Sequence, residues 1–173
     1  MMADTLLVYY SLTGMNDAIA AQVQQMGDID GFKISSQYDY PTGMYDCWDV
    51  VRKFRHVNTT IPRHGEPLPD IKQLPPIQNN LPDITNYQNI IIGGPVWGWT
   101  MADPIMTYLN ESNLAGKNVK AYCTCVNTDY NYEHDFKSLL SPDANYQGGL
   151  CIDAGISDNP QRHKSALQQL INQ

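Results

Sequence analysis

Three short turns hold the residues of this 173-residue chain best suited to chemistry. The first is Ser11-Leu12-Thr13-Gly14-Met15-Asn16, which follows an apolar run ending at Tyr10 and opens a helix-period segment. Two hydroxyls, a glycine and the free N–H groups of a helix start suit a phosphate group without any lysine. An ordinary capped strand-to-helix turn uses the same residue types, so this turn alone leaves both readings open. The second is Gly93-Gly94-Pro95-Val96-Trp97-Gly98-Trp99-Thr100-Met101. Two indoles in a Gly/Pro-framed loop offer a flat stacking surface to a planar ligand, Trp97 ahead of Trp99, or else bury against neighbouring chain. The third is Thr124-Cys125-Val126-Asn127-Thr128-Asp129-Tyr130-Asn131-Tyr132. It is rich in hydrogen-bonding groups, and either tyrosine could close the far side of a ring. A solvated loop with N-capping Asn and Asp reads the same way.

The motifs that are missing narrow the chemistry. The first turn lacks the Gly-Lys-Ser/Thr of a Walker A loop and the Gly-x-Gly-x-x-Gly of a dinucleotide fold. No Gly-x-Ser-x-Gly elbow occurs, which disfavours a serine hydrolase. A phospho-receiver domain would carry an aspartate where the chain reads Ile92-Gly93-Gly94-Pro95. Cys47, Cys123, Cys125 and Cys151 form neither a disulfide framework nor a spaced zinc site, and apolar surroundings make Cys123 and Cys151 read as buried free thiols. His134 and His163 read as surface residues. Asp46 and Asp49 with Arg52 and Lys53 read as a salt-bridged helix face. No catalytic acid or base and no metal site is expected.

These turns need strands and helices to position them. Apolar runs at Leu6–Tyr10, Gly31–Ile34, Asn89–Gly93, Val119–Cys123 and Gly149–Ile152 predict five strands. The first, third and fourth are nearly continuous in apolar character, as strands buried on both faces of a parallel sheet are. Helical stripes lie between them: Met15, Ile19, Val23 and Met26 before Gly27, then Met44, Cys47, Trp48, Val51 and Phe54. Asp103-Pro104 and Asn159-Pro160 each read as an N-cap followed by a first-turn proline, leading to Ile105, Tyr108 and Leu109 and to Leu167, Leu170 and Ile171. A further stripe near Asn131 carries Tyr132, Phe136, Leu139 and Leu140. The alternation predicts one α/β domain over 1–173, a three-layer sandwich with a five-stranded parallel sheet. The order expected for its strands is 2-1-3-4-5, which periodicity alone does not fix. Six of the eleven prolines fall at about 57–89, a long excursion before the third strand that reads as functional or mobile.

Composition sets the outer limits. With 42% hydrophobic and 17% charged residues the chain can bury a core. Eighteen acids against eleven bases give a net charge of −7, which disfavours nucleic acid and anionic membranes as partners. No apolar run is long enough to span a bilayer and no signal peptide is evident, so a cytoplasmic protein is expected.

Ser11-x-Thr13-Gly14 resembles the FMN-phosphate loop of flavodoxins, written Ser/Thr-x-Thr-Gly-Asn-Thr. Gly94-Pro95-Val96-Trp97 with Asp103-Pro104-Ile105 resembles the loop and helix after that family's third strand, and Leu114-Ala115-Gly116-Lys117 the entry to its fourth. The resemblance spans essentially the whole chain and implies FMN as cofactor. It implies that Ser11, Thr13, Gly14, Met15 and Asn16 hold the phosphate. Trp97, framed by Pro95 and Val96, would flank the isoalloxazine, with Gly98 where flavodoxins flip a peptide toward flavin N5. Thr124, Cys125, Asn127, Asp129 and Tyr130 would meet the pyrimidine edge and the far ring face. Met15-Asn16 departs from the usual Asn-Thr, and Asn127-x-x-Tyr130 only loosely matches the Asp-x-x-Tyr of relatives.

Two uses of such a site stay open. A low-potential electron carrier, monomer or homodimer, would show an acidic rim to redox partner proteins. From Met101 to Pro160, Asp103, Glu111, Asp129, Glu133, Asp135, Asp143, Asp153 and Asp158 face only Lys117, Lys120 and Lys137. An FMN-dependent NAD(P)H reductase passing electrons to a quinone or similar small acceptor would need cations for a cofactor tail. Arg52, Lys53, Arg55, His56, Arg63 and His64 are the one basic concentration, although cations ending a helix complement its dipole equally well. The same scaffold could also bind another planar ligand without turnover.

Overall fold

The structure is a computed structural model that describes residues 3–57, 67–126, 129–153 and 160–172. Strands β1 (Thr5–Tyr9), β2 (Ile29–Lys33), β3 (Asn89–Trp97), β4 (Thr100–Met101), β5 (Asn118–Cys125) and β6 (Asn145–Asp153) form one sheet. Its parallel strands run β2-β1-β3-β5-β6, the expected 2-1-3-4-5 order, and β4 pairs antiparallel with the end of β3. The sixth strand was not expected, because a two-residue return strand carries no apolar period of its own.

Helices α1 (Met15–Gln25), α2 (Met44–Arg55), α3 (Asp103–Glu111) and α4 (Tyr132–Leu139) connect strands, and α5 (Pro160–Asn172) follows β6. The side-chain alternation of the central strands builds two cores. Leu6, Val8, Ile90, Ile92, Val119, Ala121 and Cys123 pack against α3 and α4 on one face. Leu7, Ile91 and Tyr122 pack with Ile19, Ala20 and Val23 of α1 and Leu167 and Leu170 of α5 on the other. Strands covered on both sides explain the unbroken apolar runs.

Two expected stripes are corrected at their ends. Met15 and Met44 are exposed, since each sits at the first position of its helix, outside the packed turn. The buried line of α2 is instead Cys47, Val51 and Arg55.

The described part of the proline-rich excursion, 67–88, is packed structure. Leu68, Ile71, Leu74, Ile77, Leu81, Ile84 and Tyr87 join the core beside α3. Asn79 ties the segment to the chain beyond β2, accepting from the Ser35 N–H at 2.9 Å and donating to the Lys33 carbonyl at 2.9 Å. The segment thus holds down the chain leaving the sheet's outer strand, which would otherwise present open backbone groups. Residues 58–66, with Arg63 and His64, lie outside the described residues, as does Asn159. No described helix is long and apolar enough to cross a membrane.

Candidate functional site

Every loop that follows a parallel strand leaves from the same edge of the sheet, so β1, β3 and β5 deliver the three predicted turns together. In the first, Gly14 is the N-cap of α1 with φ +95°, a conformation that only glycine adopts cheaply, and a Cβ there would meet nothing within 4 Å. Having no side chain, Gly14 caps no amide. The Asp17 N–H instead donates to Ser11 Oγ at 3.2 Å, which fixes the turn against the helix. Thr13, Gly14 and Met15 are exposed, whereas Ser11 is buried. Asn16 is buried too. Its Nδ2 donates to Thr124 Oγ1 at 3.1 Å, and its Oδ1 has no partner among the described residues. Asn16 therefore couples the first turn to the end of β5.

In the second turn, Pro95, Val96 and Trp97 extend β3, and Gly98-Trp99 reverse the chain into β4. Gly98 has φ +69°, and a Cβ on it would come within 2.5 Å of Trp48 Cζ3. Trp97 is half-buried against Tyr10 (ring centroids 5.5 Å apart, edge-on) and Tyr40 (4.8 Å). Trp99 is only 1% exposed and meets Trp48 edge-on. Of the two indoles, Trp99 is a core residue.

A buried ion pair fastens this turn. Arg55 Nε lies 2.7 Å from Asp103 Oδ1, and both side chains are fully buried. Arg55 also donates to the carbonyls of Trp97 and Met101, each at 2.8 Å, so one guanidinium grips both arms of the reversal. Tyr40 O–H donates to Asp103 Oδ2 at 3.0 Å. Arg55 further lies 5.4 Å from the Trp99 ring centre, within cation–π range. With every strong donor and acceptor matched, the pair offsets its desolvation. Asp103 is thus not the N-cap of α3, a place taken by Ala102, and it leaves the acidic rim. Arg55 likewise leaves the basic cluster. Its position one helical repeat beyond Cys47 and Val51, on a buried line, was the signal in the sequence that it had an internal partner.

In the third turn, Thr124 and Cys125 are buried at the end of β5, Val126 is exposed, and Asn127 lies outside the described residues. Asp129 is partly exposed. Tyr130 is 41% exposed with φ +47°, an uncommon conformation for an aromatic residue. Tyr132, the other tyrosine considered for ring contact, is buried and donates to the Tyr122 carbonyl at 3.1 Å. The Asn131 N–H donates to the Trp99 carbonyl at 3.0 Å, lacing the third turn to the second. The large exposed hydrophobics among the described residues, Met15, Tyr38, Met44, Tyr45, Val126 and Tyr130, all lie in segments that follow β1, β2 or β5.

The flavodoxin family model matches residues 4–165. The chain belongs to the flavodoxin family. Among solved structures, this flavodoxin-family chain is similar to a protein of Bacteroides uniformis ATCC 8492, at 22% identity over all of both chains with a TM-score of 0.74. It is also similar to the Lactobacillus acidophilus NCFM flavoprotein in complex with FMN, at 23% identity, 86% of this chain, 92% of that chain and TM-score 0.67. An apo NADH:FMN oxidoreductase is more distant, at 12% identity, 97% of this chain, 88% of that chain and TM-score 0.51. At these identities the likeness is one of fold. No curated protein sequence matches the chain.

The first turn of this flavodoxin-family chain fits a phosphate monoester: a positive-φ glycine with open space beside it starts a helix whose cap residue offers no competing side chain. Among the described residues no group of three or more His, Cys, Asp or Glu is arranged to hold a metal ion.

Proposed function

We propose that this chain holds one FMN at the carboxyl edge of its sheet and works as an electron carrier. The observation that carries the reading is the lacing of the three turns, Asn16 to Thr124 and Asn131 to Trp99, around a helix start whose cap residue is a glycine. FMN supplies the redox chemistry when bound. The Ser11 and Thr13 hydroxyls and the first-turn amides from Gly14 to Asn16 hold its phosphate. Trp97 and Tyr130 would flank the ring, Asp129 would offer a hydrogen-bond acceptor at its edge, and the Gly98 peptide would serve N5. The L. acidophilus flavoprotein, of the same fold, binds FMN.

Carriage is favoured over turnover by the surroundings of this edge. Exposed Met44, Tyr45 and Val126 give a partner protein apolar contact, and a net charge of −7 steers basic redox partners toward it. The likeness to an NADH:FMN oxidoreductase sustains the reductase as a second reading. Its basic cluster is smaller than expected, with Arg55 internal and Arg52 paired with Asp49.

The test is a visible absorbance spectrum of the protein purified without added flavin, with identification of the molecule released by heat. Released FMN is the expected result. A colourless protein that also refuses added FMN overturns the reading. Steady NADH or NADPH oxidation with a small quinone would replace the carrier by the reductase.

A further inference from the structure

Three of the four cysteines converge at the ends of β5 and β6. Register places Cys151 opposite Cys123, and Cys125 follows two residues on, on the same face. Cys125 Sγ lies 2.7 Å from Cys151 Sγ. The three differ in exposure: Cys123 and Cys125 are 3% and 5% exposed, while Cys151 opens to solvent. This corrects the expectation of a buried Cys151, because β6 is an outer strand and leaves that position uncovered. A cavity of about 40 Å³ adjoins it, bordered by Asp129, Glu133 and Tyr146.

We propose that Cys151 and Cys125 are a dithiol site for thiol–disulfide exchange with small, cationic disulfides. Cys151 is the attacking sulfur, Cys125 the resolving one, and Cys123, opposite Cys151 in the strand register, a positioning residue. The Cys151 thiolate attacks one sulfur of the external disulfide, forming a mixed disulfide and releasing the first thiolate. Cys125 then loses its proton to solvent and attacks the Cys151 sulfur. The Cys125–Cys151 bond forms, and the second external thiolate leaves. Two protein thiols are oxidised and one external disulfide is reduced to two thiols.

Electrostatics supports this division of labour. Hydrogen bonds from Cys123 and then from Cys125 bring Cys151 down to about 7, against burial and the charges of Asp129 and Asp153, which favours its thiolate. Burial, and then the Cys151 sulfur itself, push Cys125 up to about 12. Once Cys151 is capped, its negative charge is gone and Cys125 ionises more easily, which favours resolution after attack. An exposed, acidified thiol beside a buried partner is the arrangement of redox-responsive cysteines. Asp129, Glu133 and Asp153 set the preference for a cationic reagent.

The experiment treats the purified, reduced protein with cystamine, then alkylates free thiols and maps the products by mass spectrometry. The expected result is an intramolecular Cys125–Cys151 disulfide with Cys47 and Cys123 still free. Cys151→Ser, at an exposed position, should slow the loss of thiols at least ~10-fold, and Cys125→Ala should trap the cystamine adduct on Cys151. Oxidised glutathione, which is anionic, should react about tenfold more slowly than cystamine at low salt, with the gap closing as salt is added. A different linkage, or Cys151→Ser reacting at the wild-type rate, overturns the proposal, and equal rates for the two reagents overturn the charge preference. If Cys125→Ala fails to fold, the wild-type map and Cys151→Ser still decide.

Discussion

At the scale of single residues, Gly98 is constrained twice, by a φ of +69° and by Trp48 where a Cβ would go. Gly98→Ala should cost about 1–3 kcal/mol in a urea melt through strain and overpacking, and weaken FMN binding in a fluorescence titration. Adding Trp48→Ala removes the clash but not the φ strain, so the double variant should recover only part of the flavin affinity. Trp97→Ala should weaken FMN binding; unchanged affinity would remove Trp97 from the ring site. Cys151 gives the pH dependence. Its native pKa, near 7, lies below the ordinary 9.0, so its contribution to stability is full above pH 9 and disappears as pH falls through 7. Native alkylation of Cys151 should accordingly be half-maximal near pH 7, and a midpoint near 9 would show that the hydrogen bonds from Cys123 and Cys125 are absent in solution. Residue types signalled Gly98 as a turn glycine. They could not signal Trp48 as its neighbour, because that contact joins two segments fifty positions apart in the chain.

At the scale of elements, the β3–β4 reversal depends on α2 through Arg55. Arg55→Met leaves the Asp103 carboxylate buried without its cation and should cost about 3–5 kcal/mol. The double variant Arg55→Met with Asp103→Leu should be more stable than Arg55→Met alone, measured by thermal melts, because no uncompensated charge remains. If the two singles simply add, the two side chains do not act as a pair. Asn79→Ala removes two hydrogen bonds between the excursion and the chain beyond β2 and should cost about 1–3 kcal/mol by the same measurement. The strands and most helices were legible because their apolar periods are local. The return strand β4 and the packed excursion were not, since both are held by distant partners: Arg55 for the first, Asn79 and the α3 face for the second.

At the scale of the whole molecule, a ligand that binds the native edge stabilises the entire fold. With FMN at about 100 times its Kd, the unfolding free energy should rise by about 2.7 kcal/mol, seen as a concentration-dependent rise in Tm. Riboflavin, which lacks the phosphate, should give a smaller rise if the Ser11–Asn16 turn holds that group. Equal shifts for the two flavins would place the binding energy on the ring alone.

By itself the sequence determined the alternation of strands and helices, the parallel sheet and the three turns at the strand ends, while the order of the strands was an expectation that the fold bears out. Apolar period, turn glycines and the Ser11-x-Thr13-Gly14 pattern are all read along the chain. Tertiary structure alone decided that Trp99 is core and that Asp103 answers Arg55 rather than solvent. It also decided that Asn16 reaches Thr124 and that Cys151 opens beside Cys125. Each of these is a pairing between segments far apart in the chain, and periodicity records which face a residue takes but not which residue it meets there.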